Sequence, residues 1–154
     1  MKKSVGLTLS IILVTVLMLE LFTVTALAGE TRPVTISFGE KTEGNYSCTE
    51  NVDFDNVSDI YYENCSNFVC EPITLTDRDG DTLTLSASGY FYYEMSGALT
   101  FTISASDWDA AAPGEYIGEM NWSFYGENRS EYDGEIMESG YVSGTTALTL
   151  TKEA

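Results

Sequence analysis

The chain has 154 residues, of which 24 are acidic and 7 are basic, with no histidine and a formal net charge of −17. A surface this negative repels phosphate backbones and anionic lipid headgroups, so the composition excludes nucleic acid as a partner and argues against docking on a membrane surface. Because histidine is absent, Ser-His and Cys-His catalytic pairs are impossible, and we predict that the protein is not an enzyme. We expect the carboxylates on turns and outward strand faces, where they are solvated.

The N-terminal segment is typical of a secretory signal peptide. Two lysines follow the initial Met, residues 5–24 are almost wholly apolar, and residues 26–28 read Ala-Leu-Ala. A retained transmembrane anchor is the alternative, since the apolar run is long enough to span a bilayer, but Glu20 and the small-x-small site favour cleavage. We therefore predict that residues 1–28 are removed and that no stable membrane insertion remains. The product is a secreted, extracellular or cell-surface protein with a single domain over residues 29–154.

Three cysteines lie in the predicted mature chain, in a compartment where disulfides persist. Cys48, Cys65 and Cys70 allow at most one intramolecular disulfide, and the sequence leaves the three possible pairings open. A bond from Cys48 to either of the others would stabilise the fold by ~3 kcal/mol on the chain-entropy model. A zinc site is disfavoured because histidine and a fourth thiolate are missing.

Short alternating apolar runs predict strands from the start of the mature chain. Residues 34–38 alternate after a proline that suits the beginning of a strand. Residues 52–54 and 60–62 flank a stretch at 55–59 that is rich in Asp, Asn and Ser and predicts a turn.

Three aspartates, Asp77, Asp79 and Asp81, lie between alternating runs at residues 73–75 and 83–87. The Asp-Gly pair within this stretch predicts a β-hairpin. The spacing of the aspartates resembles the start of an EF-hand calcium loop, but the positions that require Gly and a bidentate Glu hold Thr and Ser. We therefore predict no cofactor, and a looser calcium site at the three aspartates stays open.

Residues 98–125 predict two half-buried strands joined by a Pro-Gly corner. Leu99, Phe101 and Ile103 share one face of the first strand. One face of the second strand carries Tyr116, Met120, Trp122 and Phe124. The helix-like composition of residues 107–112 is too short to matter, and a proline ends it.

The remaining segments complete an all-β pattern. Residues 90–95 predict an aromatic strand, and residues 135–142 and 145–151 predict two last strands joined by a turn at 143–144. Many short strands separated by Gly, Asn and Asp predict an antiparallel immunoglobulin-like β-sandwich after the signal peptide. We expect residues 147–151 to lie at an edge that can pair with another subunit.

Three aromatic residues are candidates for contact with a ligand. Tyr90 and Tyr92 share one face of their strand, although the sequence does not say whether that face is exposed. Trp108 lies in a connection between two aspartates, and we expect it to be exposed. Exposed aromatic rings on a β-sandwich can stack on sugar rings, so the three residues predict a carbohydrate site.

Residues 111–122 read AAPGEYIGEMNW. This stretch resembles the A-P-x-G-x-Y-x-G corner of exported bacterial immunoglobulin-like surface and adhesion domains, including WxL-type cell-wall-binding and pilin-like domains. Within it, Gly114-Glu115-Tyr116 is similar to a tyrosine corner, in which the hydroxyl bonds back to the backbone at the sandwich edge. The resemblance implies a role in adhesion, surface assembly or cell-wall association.

Two functional hypotheses follow. The first is an exported, non-catalytic immunoglobulin-like module in cell-surface adhesion, surface assembly or cell-wall association, with a protein or a cell-wall or glycan partner. The alternative is a small secreted carbohydrate-binding protein that uses exposed aromatic residues and calcium.

Overall fold

The structure is a computed structural model that describes residues 29–154. The predicted signal peptide, residues 1–28, lies outside the described residues. The described chain forms nine strands and one helix: β1 (Gly29–Glu30), β2 (Val34–Ile36), β3 (Asn45–Asp53), β4 (Asn64–Cys70), β5 (Ile73–Thr76), β6 (Thr82–Tyr93), β7 (Ser96–Ser104), α1 (Ala105–Ala110), β8 (Gly114–Arg129) and β9 (Ile136–Lys152).

The strands form one sheet that folds over on itself. They hydrogen-bond in the order β1-β9-β8-β5-β6-β7-β3, with β2 added to β9 and β4 added to β8. Strand β6 pairs with β5 up to Leu85 and with β7 from Ser86 onward, so it belongs to both layers. The front layer contains β4, β5, β8 and β9, and the back layer contains β3, β7 and the second part of β6. The all-β prediction is confirmed, with β1 and β2 running parallel to β9.

The two layers meet in an aromatic core centred on Phe54, which is fully buried. Its ring centroid lies 4.9 Å from that of Trp122 in the front layer and 5.6 Å from that of Phe91 in the back layer. The indole Nε1 of Trp122 donates to Thr146 Oγ1 at 2.9 Å. Because both groups are buried, each satisfies the hydrogen-bonding need of the other.

The alternation predicted for β7 and β8 is confirmed. The buried side chains of the two strands include Leu99, Phe101, Ile103, Tyr116, Met120, Trp122 and Phe124. The predicted tyrosine corner is also present, since the Tyr116 hydroxyl donates to the Ala112 carbonyl oxygen at 2.9 Å. This bond fixes the entry of the chain into β8 at the edge of the sandwich.

The two last strands predicted by the sequence are a single strand. β9 runs without interruption for 17 residues, so the predicted turn at residues 143–144 is wrong. A Cβ on Gly144 would lie 2.1 Å from the Gly29 carbonyl oxygen and 2.7 Å from Cζ2 of Trp122. The glycine therefore permits a close approach of backbone and indole, and it does not mark a turn.

The predicted edge at residues 147–151 is also wrong. β2 pairs with residues 148–150 on one side, while β8 pairs with the whole segment on the other. This part of β9 therefore lies inside the sheet and has no unpaired edge for another subunit.

The predicted hairpin turn is present, whereas the helix and the aromatic strand have other bounds than predicted. The Asp-Gly hairpin is confirmed: Gly80 has a φ of 92°, and its N–H donates to the Asp77 carbonyl oxygen at 3.2 Å. The aromatic strand predicted at residues 90–95 is the end of β6. Helix α1 begins two residues earlier than predicted, because Ser104 Oγ accepts the N–H of Asp107 and caps the helix.

Strand β4 was not predicted, and the strand predicted at residues 60–62 is absent. β4 begins at Asn64 and pairs with β8 on both sides of a bulge between Ser66 and Val69. Within the bulge, Asn67 has a φ of 55°. A bulge interrupts the alternation of side chains, which is why periodicity did not reveal the strand.

Candidate binding surfaces

Part of the outward side of the back layer is uncharged. Three rungs cross β6, β7 and β3, and they consist of Ser86–Thr102–Ser47, Ser88–Thr100–Thr49 and Tyr90–Ala98–Asn51. We call these nine positions the hydroxyl face. The hydroxyls of Thr49 and Thr100 hydrogen-bond at 2.9 Å. The expectation that carboxylates line the outward strand faces is therefore wrong for these three rungs, whereas Asp53 is exposed one rung further along β3.

Two of the predicted ligand residues lie in solvent at one end of the hydroxyl face, which includes Tyr90. Tyr90 is 63% exposed and Tyr92 is 55% exposed. Phe91 points the other way, and its ring centroid lies 4.8 Å from that of Phe124 in the core. The two tyrosine rings are 6.5 Å apart at an interplanar angle of 66°, so they do not form one flat platform.

The prediction of an exposed Trp108 is wrong. Its partly buried indole packs edge-on against Phe38 at 5.2 Å and Tyr46 at 6.3 Å between ring centroids. The Lys152 ammonium lies 5.2 Å from the centroid of the indole and donates to the carbonyl oxygens of Trp108 and, at 2.7 Å, of Ala111. A cation at this place stabilises both the aromatic face and the C-terminal end of α1. Trp108 is therefore part of the fold's packing.

The three aspartates of the β5–β6 turn are not gathered as metal ligands. Asp77 Oδ1 accepts the backbone N–H groups of Asp79 at 2.9 Å and of Asp81 at 2.8 Å. This carboxylate therefore shapes the turn. Within residues 29–154, no three Cys, Asp or Glu side chains form a group suited to a metal ion. Calcium binding stays a prediction.

All three cysteines are free thiols, so the predicted disulfide is not confirmed. Cys65 and Cys70 lie at the two ends of the extended part of β4, which exceeds the Cα separation of about 4–7 Å that a disulfide requires. Burial raises the pKa of the Cys48 and Cys70 thiols and raises the pKa of Cys65 to about 11. The thiols are therefore protonated at neutral pH and are poor nucleophiles.

Four exposed apolar side chains lie at the far end of the β8–β9 hairpin. We define residues 125–141 as the distal hairpin. Its most exposed apolar side chains are Ile136 at 49%, Tyr141 at 72%, Met137 at 73% and Tyr132 at 100%. Tyr125 lies directly across from Tyr141, with ring centroids 5.3 Å apart.

Hydrogen bonds hold the distal hairpin at its base and tip. Asn128 Nδ2 donates to the Tyr61 carbonyl oxygen at 2.8 Å, and Asn128 Oδ1 accepts the N–H of Glu63 at 2.8 Å. At the tip, the N–H of Gly134 donates to the Ser130 carbonyl oxygen at 3.0 Å. The exposed apolar side chains are thus carried on an ordered support.

The distal hairpin is strongly acidic. It contains one cation, Arg129, and five carboxylates, Glu127, Glu131, Asp133, Glu135 and Glu138. The Arg129 guanidinium donates to Glu127 Oε1 at 2.6 Å and to the Gly134 carbonyl oxygen at 3.0 Å. Among residues 29–154, the other four carboxylates make no ion pair. The sequence did not reveal this surface, because alternating apolar residues equally predict a strand that is buried on one side.

Comparisons with known proteins give no family. No protein-family model matches the chain, and no curated protein matches it. Two solved structures are similar to it, both of CfaE, the adhesive subunit of the CFA/I fimbria of enterotoxigenic Escherichia coli, and one of them is a mutant. Both show 12% identity, with TM-scores of 0.42 and 0.41, over 82% of this chain and 46% of the adhesin. The chain thus spans less than half the length of that adhesin.

Among residues 29–154, no helix is both long and apolar enough to pass through a bilayer.

Proposed function

We propose that the protein is an exported, non-catalytic immunoglobulin-like module that binds a protein partner at the cell surface, in adhesion, surface assembly or cell-wall association. The observation that carries this proposal is the distal hairpin, where Tyr132, Met137 and Tyr141 lie in solvent on an ordered support. A soluble domain rarely exposes clustered apolar side chains unless they contact a partner. Aromatic and methionine side chains are also enriched in protein interfaces.

The chemistry of the remaining chain supports a binding role over catalysis. Histidine is absent, and the three thiols are held protonated by burial. A depression of about 490 Å³ is lined by Thr76, Arg78, Pro113 and Ile117 together with nearby acidic residues. None of these features supplies an activated nucleophile.

The test uses the fluorescently labelled mature chain, residues 29–154, incubated with intact cells of the producing species. We expect saturable binding, and a loss of affinity of about 10-fold or more for the double variant Met137→Ser/Tyr141→Ser. The control variant Tyr90→Ser/Tyr92→Ser removes two similarly exposed rings from the opposite layer and should bind like the wild type. Protease treatment of the cells should abolish binding, whereas periodate oxidation of their glycans should leave it intact.

The proposal is contradicted by the absence of saturable binding, or by undiminished binding of the Met137/Tyr141 variant. Urea denaturation should show that both double variants fold. Because the replaced side chains are exposed, we expect their free energies of unfolding to change by no more than about 0.5 kcal/mol per site.

A second candidate function, carbohydrate binding, is favoured by the hydroxyl face. Tyr90 and Tyr92 lie in solvent at one end of a surface whose other side chains are mainly hydroxyls, with Asp53 as the neighbouring charge on β3. Such a surface offers rings for stacking on sugars and both donors and acceptors for their hydroxyls.

A glycan array tests this alternative directly. Saturable glycan binding that is lost in Tyr90→Ala/Tyr92→Ala and kept in Met137→Ser/Tyr141→Ser would favour carbohydrate binding over the main proposal. If a chelator abolishes that binding, calcium takes part, and the aspartates of the β5–β6 turn become its first candidate ligands. An array without a saturable ligand excludes the alternative for the glycans tested.

A further inference from the structure

Strand β9 is paired on both edges over only part of its length. Strand β8 covers one edge along the whole strand. On the other edge, β2 pairs with residues 148–150 and β1 pairs with Gly144 and Thr145. Within residues 29–154, no strand therefore covers residues 136–143 on that side. We call this segment the β9 free edge.

Every second residue of the β9 free edge directs its N–H and C=O groups away from β8. The Thr145 carbonyl oxygen accepts the N–H of Thr31 at 3.1 Å, so the peptide groups of Thr145 point away from β8. The N–H and C=O of every second residue point to the same edge of a strand, and the pairing of β9 with β8 is regular here. The N–H and C=O groups of Ser139, Tyr141 and Ser143 therefore point outward.

Other sheet edges carry features that discourage pairing. Edge strand β3 turns a carboxylate, Glu50, to the same side as the buried Val52. β4 carries the bulge at Asn67. Inward charges and bulges are common protections of edge strands. The β9 free edge from Ser139 to Ser143 has no bulge, proline or lysine.

We infer that the β9 free edge takes up an extended, lysine- or arginine-bearing segment of another protein as an additional strand. This inference rests on the proposed function and names the class of partner. The added strand would gain main-chain hydrogen bonds, and every second side chain of it would lie beside Tyr141 and Met137.

The charge of the distal hairpin determines the chemistry of the partner. The distal hairpin carries five carboxylates, and its one guanidinium, that of Arg129, is already bonded to Glu127. A basic segment complements this charge. A second copy of the chain would bring another surface of the same sign against the edge, so like charge opposes self-pairing.

The first experiment uses an octapeptide of alternating lysine and valine as the probe, and an octapeptide of alternating glutamate and valine as the control. The basic peptide should bind the mature chain with a Kd below about 1 mM and slow hydrogen exchange at Ser139, Tyr141 and Ser143. Its affinity should fall with added salt. The acidic peptide should protect none of these amides. No saturable protection by the basic peptide, or equal protection by both, overturns the inference.

A pair of variants separates strand addition from contact with side chains. Tyr141→Pro removes an outward N–H without touching the ladder to β8, whereas Tyr141→Ala removes the same ring and keeps the N–H. Strand addition predicts that Tyr141→Pro abolishes the protection and that Tyr141→Ala weakens binding only a few-fold. Ser139→Pro tests the same edge if the first proline variant does not fold. Equal losses in the Pro and Ala variants contradict strand addition.

The outcomes distinguish this inference from the proposed function. If the proline variants keep binding while Met137→Ser/Tyr141→Ser still lowers attachment to cells, strand addition is wrong and the proposed function stands. If attachment to cells is undiminished in that double variant, the proposed function itself is wrong. Self-association in sedimentation equilibrium that Tyr141→Pro abolishes would assign the edge to a second copy and overturn the choice of a basic partner.

Discussion

The two halves of the β8–β9 hairpin follow the same alternation of inward and outward side chains, but they expose different side chains to solvent. The near half consists of residues 114–124 of β8 and 142–152 of β9. On its outward side, Ile117 lies opposite Thr149 and on the same side of β8 as Asn121. Strands β5 and β2 pair with this half of the hairpin. On the outward side of the distal half, Tyr125 and Tyr141 form an aromatic pair beside an edge that no described strand covers. Alternation thus decides which side faces the core, whereas strands distant in sequence decide whether an edge is open.

The largest expected effect separates the core of the hairpin from its distal surface. Phe124 is fully buried and contacts Phe54 and Phe91, so Phe124→Ala should lower the free energy of unfolding by about 3–5 kcal/mol. Tyr141→Ala, on an exposed ring of the same hairpin, should change it by less than about 0.5 kcal/mol. Urea denaturation measures both. Similar losses in the two variants would show that the distal rings belong to the core.

A smaller loss of stability is expected from a substitution at Gly144, where β9 meets β1. Gly144→Ala places a Cβ against the Gly29 carbonyl oxygen and the Trp122 indole, and the resulting overpacking should cost about 1–3 kcal/mol. Gly39→Ala is the control, because a Cβ at that position meets nothing within 4 Å. Thermal or urea unfolding that shows Gly144→Ala to be as stable as Gly39→Ala would contradict the close approach.

The hydrogen bond of the tyrosine corner should contribute less to the free energy of unfolding than the packing at Gly144 does. Tyr116→Phe keeps the buried ring and removes the hydroxyl that donates to Ala112, which should cost about 1–1.5 kcal/mol. Tyr132→Phe makes the same chemical change on the fully exposed tip and should leave the urea midpoint unchanged. Equal midpoints for the two variants would show that the corner bond adds no stability.

The last prediction concerns alkaline pH at the base of the distal half. Burial raises the pKa of Cys65 to about 11 from an ordinary value of 9.0, and burial also raises the pKa of the neighbouring Tyr62. The folded state holds these protons more tightly than the unfolded chain does. The stability they contribute is therefore fully present below the unfolded pKa and is lost as pH rises through the folded pKa.

The measurement is the urea midpoint between pH 8 and pH 11. We expect the midpoint to fall as the pH passes the unfolded pKa of the thiol, and Cys65→Ala should make this fall shallower. A variant with the same pH dependence as the wild type would show that the thiol does not contribute to the alkaline loss of stability.

Features that depend on nearby residues were predictable from the sequence. The tyrosine corner joins residues four positions apart, the Asp-Gly turn closes within five residues, and the faces of β7 and β8 follow from a period of two. Each of these signals is contained in one short segment, so no knowledge of the sheet order was needed.

Features that depend on distant residues were not predictable. A glycine such as Gly144 predicts a turn from local sequence alone. The reason for this glycine becomes visible only when Trp122 and β1 are seen to pack against it. Trp108 lies between acidic residues that suggest solvent, but Lys152 and Phe38, both distant in sequence, cover its ring. The distal surface likewise depends on where β1 and β2 end along β9.

The parallel pairing of β1 and β2 with β9 has a consequence for how the domain folds. The hydroxyls of Thr31 and Thr146, which meet at this junction, are 115 positions apart in the chain. A polypeptide that emerges N-terminus first must leave its two shortest strands unpaired until β9 has been made and has joined β8. The pairing of β1 and β2 with β9 is therefore a late event, and contacts of such large sequence separation make folding slow.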